Sequence, residues 1–112
     1  MEKMMEEHVV VYVTAGSEQE AETLSHGLVT EKLAFCVNVV PAIKSYYHWD
    51  GKMNVDAEVL MIIKTRRDRF DELKQWVSEH HSYDVPEVIA LPVVAGLDAY
   101  LQGIDDWVPP KK

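Results

Sequence analysis

The chain has 112 residues, enough for one domain with its own hydrophobic core. Apolar residues make up 47% of it and charged residues 27%, a composition that excludes a wholly disordered chain. Asp and Glu outnumber Lys and Arg by 19 to 11, and the net charge of -8 would repel phosphate groups. We therefore expect neither nucleic acid nor an acidic membrane as a partner.

The single cysteine, Cys36, cannot form an internal disulfide, and the charged first residues do not resemble a secretory signal. We predict that Cys36 is a small buried hydrophobic residue rather than a reactive thiol. The apolar run at residues 9–13 is too short to span a membrane, so we expect a cytoplasmic location. Residues 1–7 are predicted to be a flexible tail in front of a domain at residues 8–107.

Residues 9–13 are apolar and mostly β-branched, which predicts a strand buried on both faces. Ser17 and Glu20 then have the Ser-x-x-Glu spacing of a helix capping box, in which the two side chains satisfy backbone N–H groups of the first turn. Apolar residues continue at helical spacing after this box. We therefore predict a first helix over residues 18–33.

Two long strand-favouring runs between residues 36 and 65 meet at Asp50-Gly51, the dipeptide typical of a tight hairpin turn. A two-residue turn at this point predicts the register of both arms. The predicted pairs are Trp49 with Lys52, His48 with Met53, Tyr47 with Asn54, Tyr46 with Val55, Ser45 with Asp56, and Ile43 with Glu58.

The length of this hairpin is unusual. Each arm has about 12 residues and would extend roughly 40 Å at about 3.3 Å per residue, whereas a domain of this size is only about 34 Å across. Unless Pro41 bends the first arm, the aromatic tip at residues 46–49 should extend beyond its own domain. Exposed aromatic ribbons favour aggregation, so we expect other copies of the chain to cover the tip.

A basic cluster leads from the hairpin into a second predicted helix, which ends at His80 and His81. The cluster consists of Lys64, Arg66, Arg67 and Arg69. It is either the solvated start of the helix or an anion site at a junction between strand and helix.

Residues 88–95 predict another strand, and Pro92 within it favours an edge position because proline cannot donate a hydrogen bond to a central ladder. Asp98 is the predicted N-cap of a last short helix that extends to Trp107. Residues 108–112, with two prolines, are predicted to be a flexible tail.

The predicted order is βαββαβ followed by a helix, which is the pattern of an α+β, ferredoxin-like domain. In that fold the first and third strands are central and the second and fourth are edges. The apolar runs fit the central positions, and the strands that contain Pro41 and Pro92 fit the edges.

Five histidines and one cysteine raise the question of a metal site. His80 and His81 are neighbours, and adjacent side chains on a helix point about 100° apart, so they cannot hold one ion together. The chain has no Cys-x-x-Cys or His-x-x-x-His pair, which argues against a structural metal. A labile site of one histidine with Glu58 remains open, because imidazole with carboxylate suits copper or zinc. Phosphate-loop and zinc-protease motifs are absent, so we expect no enzyme.

The segment from Tyr83 to Glu87 directly precedes the fourth predicted strand. Pro86 stiffens this loop, so the Glu87 carboxylate is expected in a fixed position. It is either a binding group or a structural link within the loop or between subunits.

Together, these stretches resemble the CutA family of divalent-cation tolerance proteins. The resemblance is carried by EKLAFCVNVVP, the tip SYYHWDGK, the strand EVLMIIKT and the segment HHSYDVPEVIALPV. It implies a ferredoxin-like subunit in a tight homotrimer with long hairpins at the contacts. It also implies an architectural similarity to PII signalling proteins and a link to copper and other divalent cations.

Copper-binding members of the family use a cysteine in the first strand, a glutamate in the third and a histidine at the end of the second helix. The corresponding residues here are Val13, Glu58 and His80. The resemblance therefore implies a weak metal site of Glu58 and His80 that lacks the soft ligand preferred by Cu(I). The family's His-His-Pro-Tyr motif also differs, since Ser82 replaces its proline.

Five more residues match the family pattern and are implied to line ligand-binding clefts between subunits. They are Trp49, Lys64, Tyr83, Pro86 and Glu87. The leading hypothesis is a non-enzymatic homotrimer for tolerance of copper or other divalent cations, without an organic cofactor. The alternatives are a PII-like signalling module that binds a small anion near Lys64, Tyr83 and Glu87, and a trimeric scaffold for other proteins.

Overall fold

A computed structural model describes residues 7–112 of the chain. Four strands form one antiparallel sheet, and three helices accompany it. The elements are β1 (His8–Ala15), α1 (Glu18–Thr30), β2 (Cys36–Trp49), β3 (Lys52–Arg66), α2 (Phe70–His80), β4 (Val88–Pro92) and α3 (Asp98–Trp107). A short 3-10 turn, Arg67–Arg69, joins β3 to α2.

The strands lie in the order β2-β3-β1-β4, as in a ferredoxin-like sheet. The predicted fold class is therefore confirmed, with the first and third strands in the centre. Pro41 and Pro92 both belong to edge strands, where a missing N–H interrupts no ladder between two neighbours.

One face of the sheet carries the hydrophobic core. Alternate residues of the central strands are buried there together with apolar residues of α1 and α2. The fully buried members include Val11, Val13, Leu24, Leu28, Met61, Ile63, Leu73 and Val77. The buried apolar residues of α1 and α2 therefore face the sheet.

The opposite face of the sheet is covered less well than the sequence predicts. Val10, Tyr12, Leu60 and Ile62 point to this face and are only half-buried. The expectation of strands buried on both faces is wrong for a single chain, because the two long helices pack on one side only. α3 lies near one end of the other side, where Asp105 contacts residues of β1 and β3.

The hairpin register is confirmed at every predicted pair. The turn residues Asp50 and Gly51 both have positive φ, 57° and 78°, as a tight two-residue hairpin turn requires. A β-bulge interrupts the ladder between Val40 and Ile43, and Ala42 adopts a φ of 62° there. Between Cys36 and Val40, the register of β2 on β3 is shifted by one residue from the register between Ile43 and Trp49.

The tip of the hairpin extends beyond the core, as expected. The chain measures 45 Å in its longest dimension and 25 Å in its shortest. Tyr46, Trp49 and Met53 are all more than half exposed. Coverage of this tip by other copies of the chain remains a prediction.

Three predicted boundaries need correction. α1 ends at Thr30 rather than residue 33, because Lys32 turns into the left-handed region (φ 60°) and the next two N–H groups bond back to the Leu28 carbonyl. β4 ends at Pro92 rather than residue 95. Asp98 is the first residue of α3 and not its cap, since Leu97 occupies the N-cap position without a side-chain hydrogen bond.

The predicted N-terminal tail lies outside the described residues except for Glu7, whose carbonyl accepts a hydrogen bond from the Arg67 N–H. At the other end, Val108 is fully buried. Arg69 donates to the Pro109 carbonyl at 2.8 Å. The packed part of the chain therefore continues past Trp107 to at least Pro109.

Candidate functional site

A cleft of about 690 Å³ lies beside the outer half of the hairpin. One wall consists of residues 45–49 together with Asp56 and Glu58, and the other consists of residues 83–85 and Glu87. Thr14, at the end of β1, also lines it. The cleft therefore combines tyrosine, tryptophan and carboxylate side chains that are far apart in sequence.

Tyr83 and Glu58 form the central contact between the two walls. The Tyr83 hydroxyl donates a hydrogen bond of 2.8 Å to Oε2 of Glu58, a residue that is 9% exposed. Burial, the hydrogen bond to Glu58 and the negative charge of that carboxylate all raise the pKa of Tyr83 far above its ordinary value. Gly16 permits the approach, since a Cβ there would lie 3.2 Å from the tyrosine oxygen.

A second pair of the same kind lies nearer the tip, where the Tyr47 hydroxyl donates to Oδ2 of Asp56. This hydrogen bond raises the pKa of the exposed Tyr47. Each pair uses one oxygen of a carboxylate and leaves the other oxygen available. The two pairs therefore fix the orientation of both carboxylates along the wall.

His81 holds the loop that carries Tyr83. Its side chain is completely buried, and Nε2 donates to the Thr14 carbonyl at 2.8 Å. Its Nδ1 lies 3.0 Å from the Tyr83 N–H, which donates to it, and 3.6 Å from Oε2 of Glu20. His81 is thereby committed to the backbone and does not face the cleft as a ligand.

Glu20 ties the same loop to the start of α1. Its carboxylate accepts hydrogen bonds from the Ser82 N–H (2.7 Å) and the Ser82 hydroxyl (3.0 Å). Burial by itself would raise the pKa of Glu20, but the hydrogen bonds from Ser82 outweigh it, and the pKa is lowered. The N–H of Glu20 also bonds to the Ser17 hydroxyl at 3.1 Å, which confirms the predicted cap. The Gly16 N–H, rather than that of Ser17, donates to the glutamate.

The cleft brings together four of the six predicted site residues. Trp49, Glu58, Tyr83 and Glu87 all line it. Glu87 is exposed and accepts no hydrogen bond from the described residues, so the expected fixed position of its carboxylate is not supported. Lys64 and His80 lie elsewhere.

Lys64 lies on the lower part of the hairpin, where it contacts the side chain of Asn38 and lies 3.8 Å from Sγ of Cys36. Cys36 is partly exposed, so the prediction of a buried hydrophobic residue is wrong. Tyr100 lies against Cys36, and burial together with the hydrogen bond to that thiol raises the pKa of Tyr100. The polar surroundings arise because α3 covers only part of this face of the sheet.

His80 is at the exposed end of α2. Its Nδ1 donates to the Trp76 carbonyl at 2.7 Å, and its ring stacks on the Trp76 indole with 4.0 Å between centroids. Only Nε2 remains available to a metal ion. Within one chain, His80 and Glu58 thus belong to different surroundings.

Two more residues of the basic cluster, Arg66 and Arg69, form ion pairs. Arg66 contacts both Asp68 (2.8 Å) and Asp105 (2.9 Å), and Arg69 contacts Glu72. These pairs hold the strand-to-helix junction and α3 in place. In the described chain Arg66 and Arg69 are therefore paired with acidic neighbours, which argues for the structural interpretation of the cluster.

Within residues 7–112, no three His, Cys, Asp or Glu side chains converge closely enough to hold a metal ion. The described part of a single chain therefore offers separate metal donors rather than a chelating set. Separate donors of this kind cannot hold a metal ion tightly. Val13, the first-strand position that the resemblance compares with a cysteine, is fully buried in the core.

Sequence reasoning missed the roles of Asp56, Tyr47, His81 and Glu20. The predicted register did place Asp56 and Tyr47 on one face near the tip, a signal that could have identified their contact. The roles of His81 and Glu20 depend on the path of the loop after α2, for which the sequence carries no periodic pattern.

The fold and the cleft define the class: a ferredoxin-like α+β protein with an extended hairpin and an acidic, aromatic cleft. The family model described as CutA1 divalent ion tolerance protein matches residues 9–107. The chain belongs to the CutA1 family.

Relatives and solved structures agree with this assignment. The chain is 50% identical over 94 residues to protein CutA, chloroplastic, of Arabidopsis thaliana, covering 84% of this chain and 52% of the relative. It is 44% identical to the divalent-cation tolerance protein CutA of Thermus thermophilus, covering 88% and 92%. The crystal structure of CutA1 from Oryza sativa superposes with a TM-score of 0.89 at 46% identity, covering 91% and 94%. The chain spans about half the length of the plant relatives it matches.

In the part of the chain that the structure describes, no helix is long and apolar enough to cross a membrane.

Proposed function

We propose that this protein contributes to divalent-cation tolerance by binding copper or similar ions weakly, without catalysing a reaction, as a cytoplasmic homotrimer. The observation that carries the proposal is the match to the family of divalent ion tolerance proteins over residues 9–107. The description of the family as a tolerance protein also supports the non-enzymatic part of the proposal.

The charge of the molecule supports the binding of cations. The net charge is -8, and four carboxylates line the cleft. A cleft lined by one sign of charge raises the local concentration of ions of the opposite sign. Oε1 of Glu58 and Nε2 of His80 are the donor atoms that we propose for the metal.

Weak binding follows from the separation of these donors. A tightly held ion needs three or four converging ligands, whereas no three such groups converge in the described part of one chain. We therefore propose fast, reversible binding of ions at low affinity. Their imidazole and carboxylate donors suit Cu²⁺ or Zn²⁺ better than Cu⁺.

Calorimetric titration with Cu²⁺ tests these donors. Glu58→Gln and His80→Ala should each reduce the heat and the affinity of binding, while His26→Ala, which removes another exposed histidine, should not. Unchanged binding in both site variants would remove Glu58 and His80 from the proposal.

The trimer is supported by the exposed aromatic tip and by the half-buried face of the sheet. Deletion of residues 47–53 should lower the molar mass measured by light scattering from that of a trimer. A shortened chain that still forms a stable trimer would show that the tip is not part of the subunit contacts.

The two alternatives remain predictions. A small anionic ligand finds little support in the cleft, because carboxylates line it and Lys64 does not. A scaffold for other proteins has no specific observation in its favour.

A further inference from the structure

Several features of α3 disfavour it as an isolated helix. It has 10 residues, and helices shorter than about 12–15 residues are marginal in water without tertiary contacts. Its N-cap residue, Leu97, has no side-chain group that could accept a hydrogen bond, and Gly103 lies in its interior. Asp105 and Asp106 place two negative charges in its last turn, where the helix dipole disfavours them. The helix therefore depends on the surface against which it docks.

Asp105 ties α3 to the sheet. Its Oδ1 accepts hydrogen bonds of 2.9 Å from Nε2 of His8, at the start of β1, and from Nη1 of Arg66, at the end of β3. The side chains of His8 and Arg66 are only 12% and 17% exposed. Charge-assisted bonds that are shielded from water in this way are stronger than ion pairs on the open surface. One carboxylate thus joins three elements of the fold.

The neighbouring acid, Asp106, is placed differently. It is exposed, and within the described residues its carboxylate accepts a hydrogen bond of 2.9 Å from Nε2 of Gln102 on the same helix. Both acids oppose the helix dipole, but only Asp105 offsets this effect through a contact with the sheet. The two adjacent residues therefore separate the docking of α3 from its formation.

α3 covers the start of β2. The Tyr100 ring packs edge-on against Phe35 with 5.4 Å between centroids, and its hydroxyl bonds to the thiol of Cys36. Gly103 approaches Phe35 so closely that a Cβ there would lie 2.9 Å from Cζ. Displacement of α3 would therefore uncover the thiol of Cys36.

The fold allows α3 to move without disruption of the sheet. Residues 93–97, which connect it to β4, form neither helix nor strand. The ladders of the sheet join β2, β3, β1 and β4, and α3 contributes no strand to them. A segment held mainly by side-chain contacts can open at a lower free energy than the core of the same protein.

We propose that α3 is a lid that undocks as one unit while the rest of the domain stays folded. The contacts of Asp105 with His8 and Arg66 hold this lid closed over the thiol of Cys36. The proposal is independent of metal binding, because the proposed metal donors, Glu58 and His80, belong to other parts of the surface.

Hydrogen exchange of the full chain, measured by mass spectrometry on peptides from each helix, tests the lid. Asp105→Asn should raise the exchange rate of α3 about 10-fold or more, because it removes the charge from the shared acceptor. The exchange of α1 and α2 should not change. The matched control Asp106→Asn removes the same charge one residue away and should leave the exchange of α3 unchanged or slower. Equal effects of the two variants, or a rise shared by all three helices, would overturn the proposal.

The wild type provides a measure that needs no variant. At low urea concentrations the exchange of α3 should depend only weakly on urea, because undocking exposes little surface, whereas the exchange of α1 should depend on it strongly. The same urea dependence in both helices would show that α3 opens only with the whole protein, and would overturn the proposal.

Cys36, the single cysteine of the chain, reports whether the lid covers it. Alkylation of the thiol by iodoacetamide should be about 3-fold or more faster in Asp105→Asn than in the wild type, since the open fraction rises. In Asp106→Asn the rate should not increase. Faster exchange of α3 without faster alkylation would overturn the role of α3 as a lid over the thiol.

Discussion

Gly27, in the last turn of α1, lies against the edge of the Trp76 indole on α2. A Cβ added at this position would lie 2.5 Å from Cη2 and 2.6 Å from Cζ2 of the indole. Ordinary carbon contacts lie at about 3.5–4.0 Å, so the ring would have to move by about 1 Å. The His80 ring stacks on a face of the same indole with 4.0 Å between centroids and holds the ring on that face. We therefore predict that Gly27→Ala destabilises the protein although it improves the helix.

Two opposing effects determine how far Gly27→Ala changes the free energy of unfolding. Replacement of glycine by alanine inside a helix gains about 1 kcal/mol, whereas overpacking of this kind costs about 1–3 kcal/mol. The free energy of unfolding should fall by about 1 kcal/mol. In a Trp76→Leu background the indole is gone, so Gly27→Ala should there raise the free energy of unfolding by up to about 1 kcal/mol.

The assay is urea denaturation of the four proteins of this double-mutant cycle, followed by circular dichroism at one protein concentration. The expected coupling between the two sites is about 2 kcal/mol. If Gly27→Ala stabilised both backgrounds equally, helix propensity would dominate at this site. The reasoning from close packing would then be wrong.

Three further changes test the site and the hairpin. Tyr83→Phe should cost about 1 kcal/mol at pH 8 through loss of the hydrogen bond to Glu58. The pKa of Tyr83 is raised in the folded protein, so the unfolded chain releases the hydroxyl proton at a lower pH than the folded one. In urea titrations above about pH 10, the free energy of unfolding should therefore decline more steeply for the wild type than for the variant. Parallel declines would contradict this. Glu20→Gln should cost about 1 kcal/mol at pH 7. The pKa of Glu20 is lowered in the folded protein, so the difference in free energy of unfolding between wild type and variant should shrink as the pH falls below about 4. A constant difference would show that the ionised Glu20 carboxylate does not stabilise the protein through Ser82. Gly51→Ala should lower the free energy of unfolding by about 1 kcal/mol because of its positive φ, with no clash at the new methyl group; an unchanged urea midpoint would contradict this.

Much of the fold could be predicted because local signals and the global pattern agree. Asp50-Gly51 determined the turn, and with it the pairing of Tyr47 and Asp56 with their partners on the opposite arm. The prolines identified the edge strands because a missing N–H is tolerated only there. These features depend on backbone chemistry that a short stretch of sequence fully specifies.

The candidate site was predicted less completely, because it depends on where a helix stops. His80 and His81 are equivalent in sequence, yet α2 ends at His80 and the next residue is extended. That single change of backbone conformation sends the His81 ring inward to the Thr14 carbonyl and leaves His80 outside on Trp76. Helix ends shift by a residue or two with tertiary contacts, which no local pattern encodes.

The β-bulge between Val40 and Ile43 also has a consequence for how the cleft can change. On the Cys36 side of the bulge, the register between β2 and β3 differs by one residue from the register near the tip. Removal of the extra residue would give one continuous ladder, and the pairs before and after the bulge would keep their partners. Such a deletion would alter the twist and direction of the outer arm while leaving its pairs intact. We therefore expect that deletion of Ala42 alters the width of the cleft without replacing a residue that lines it.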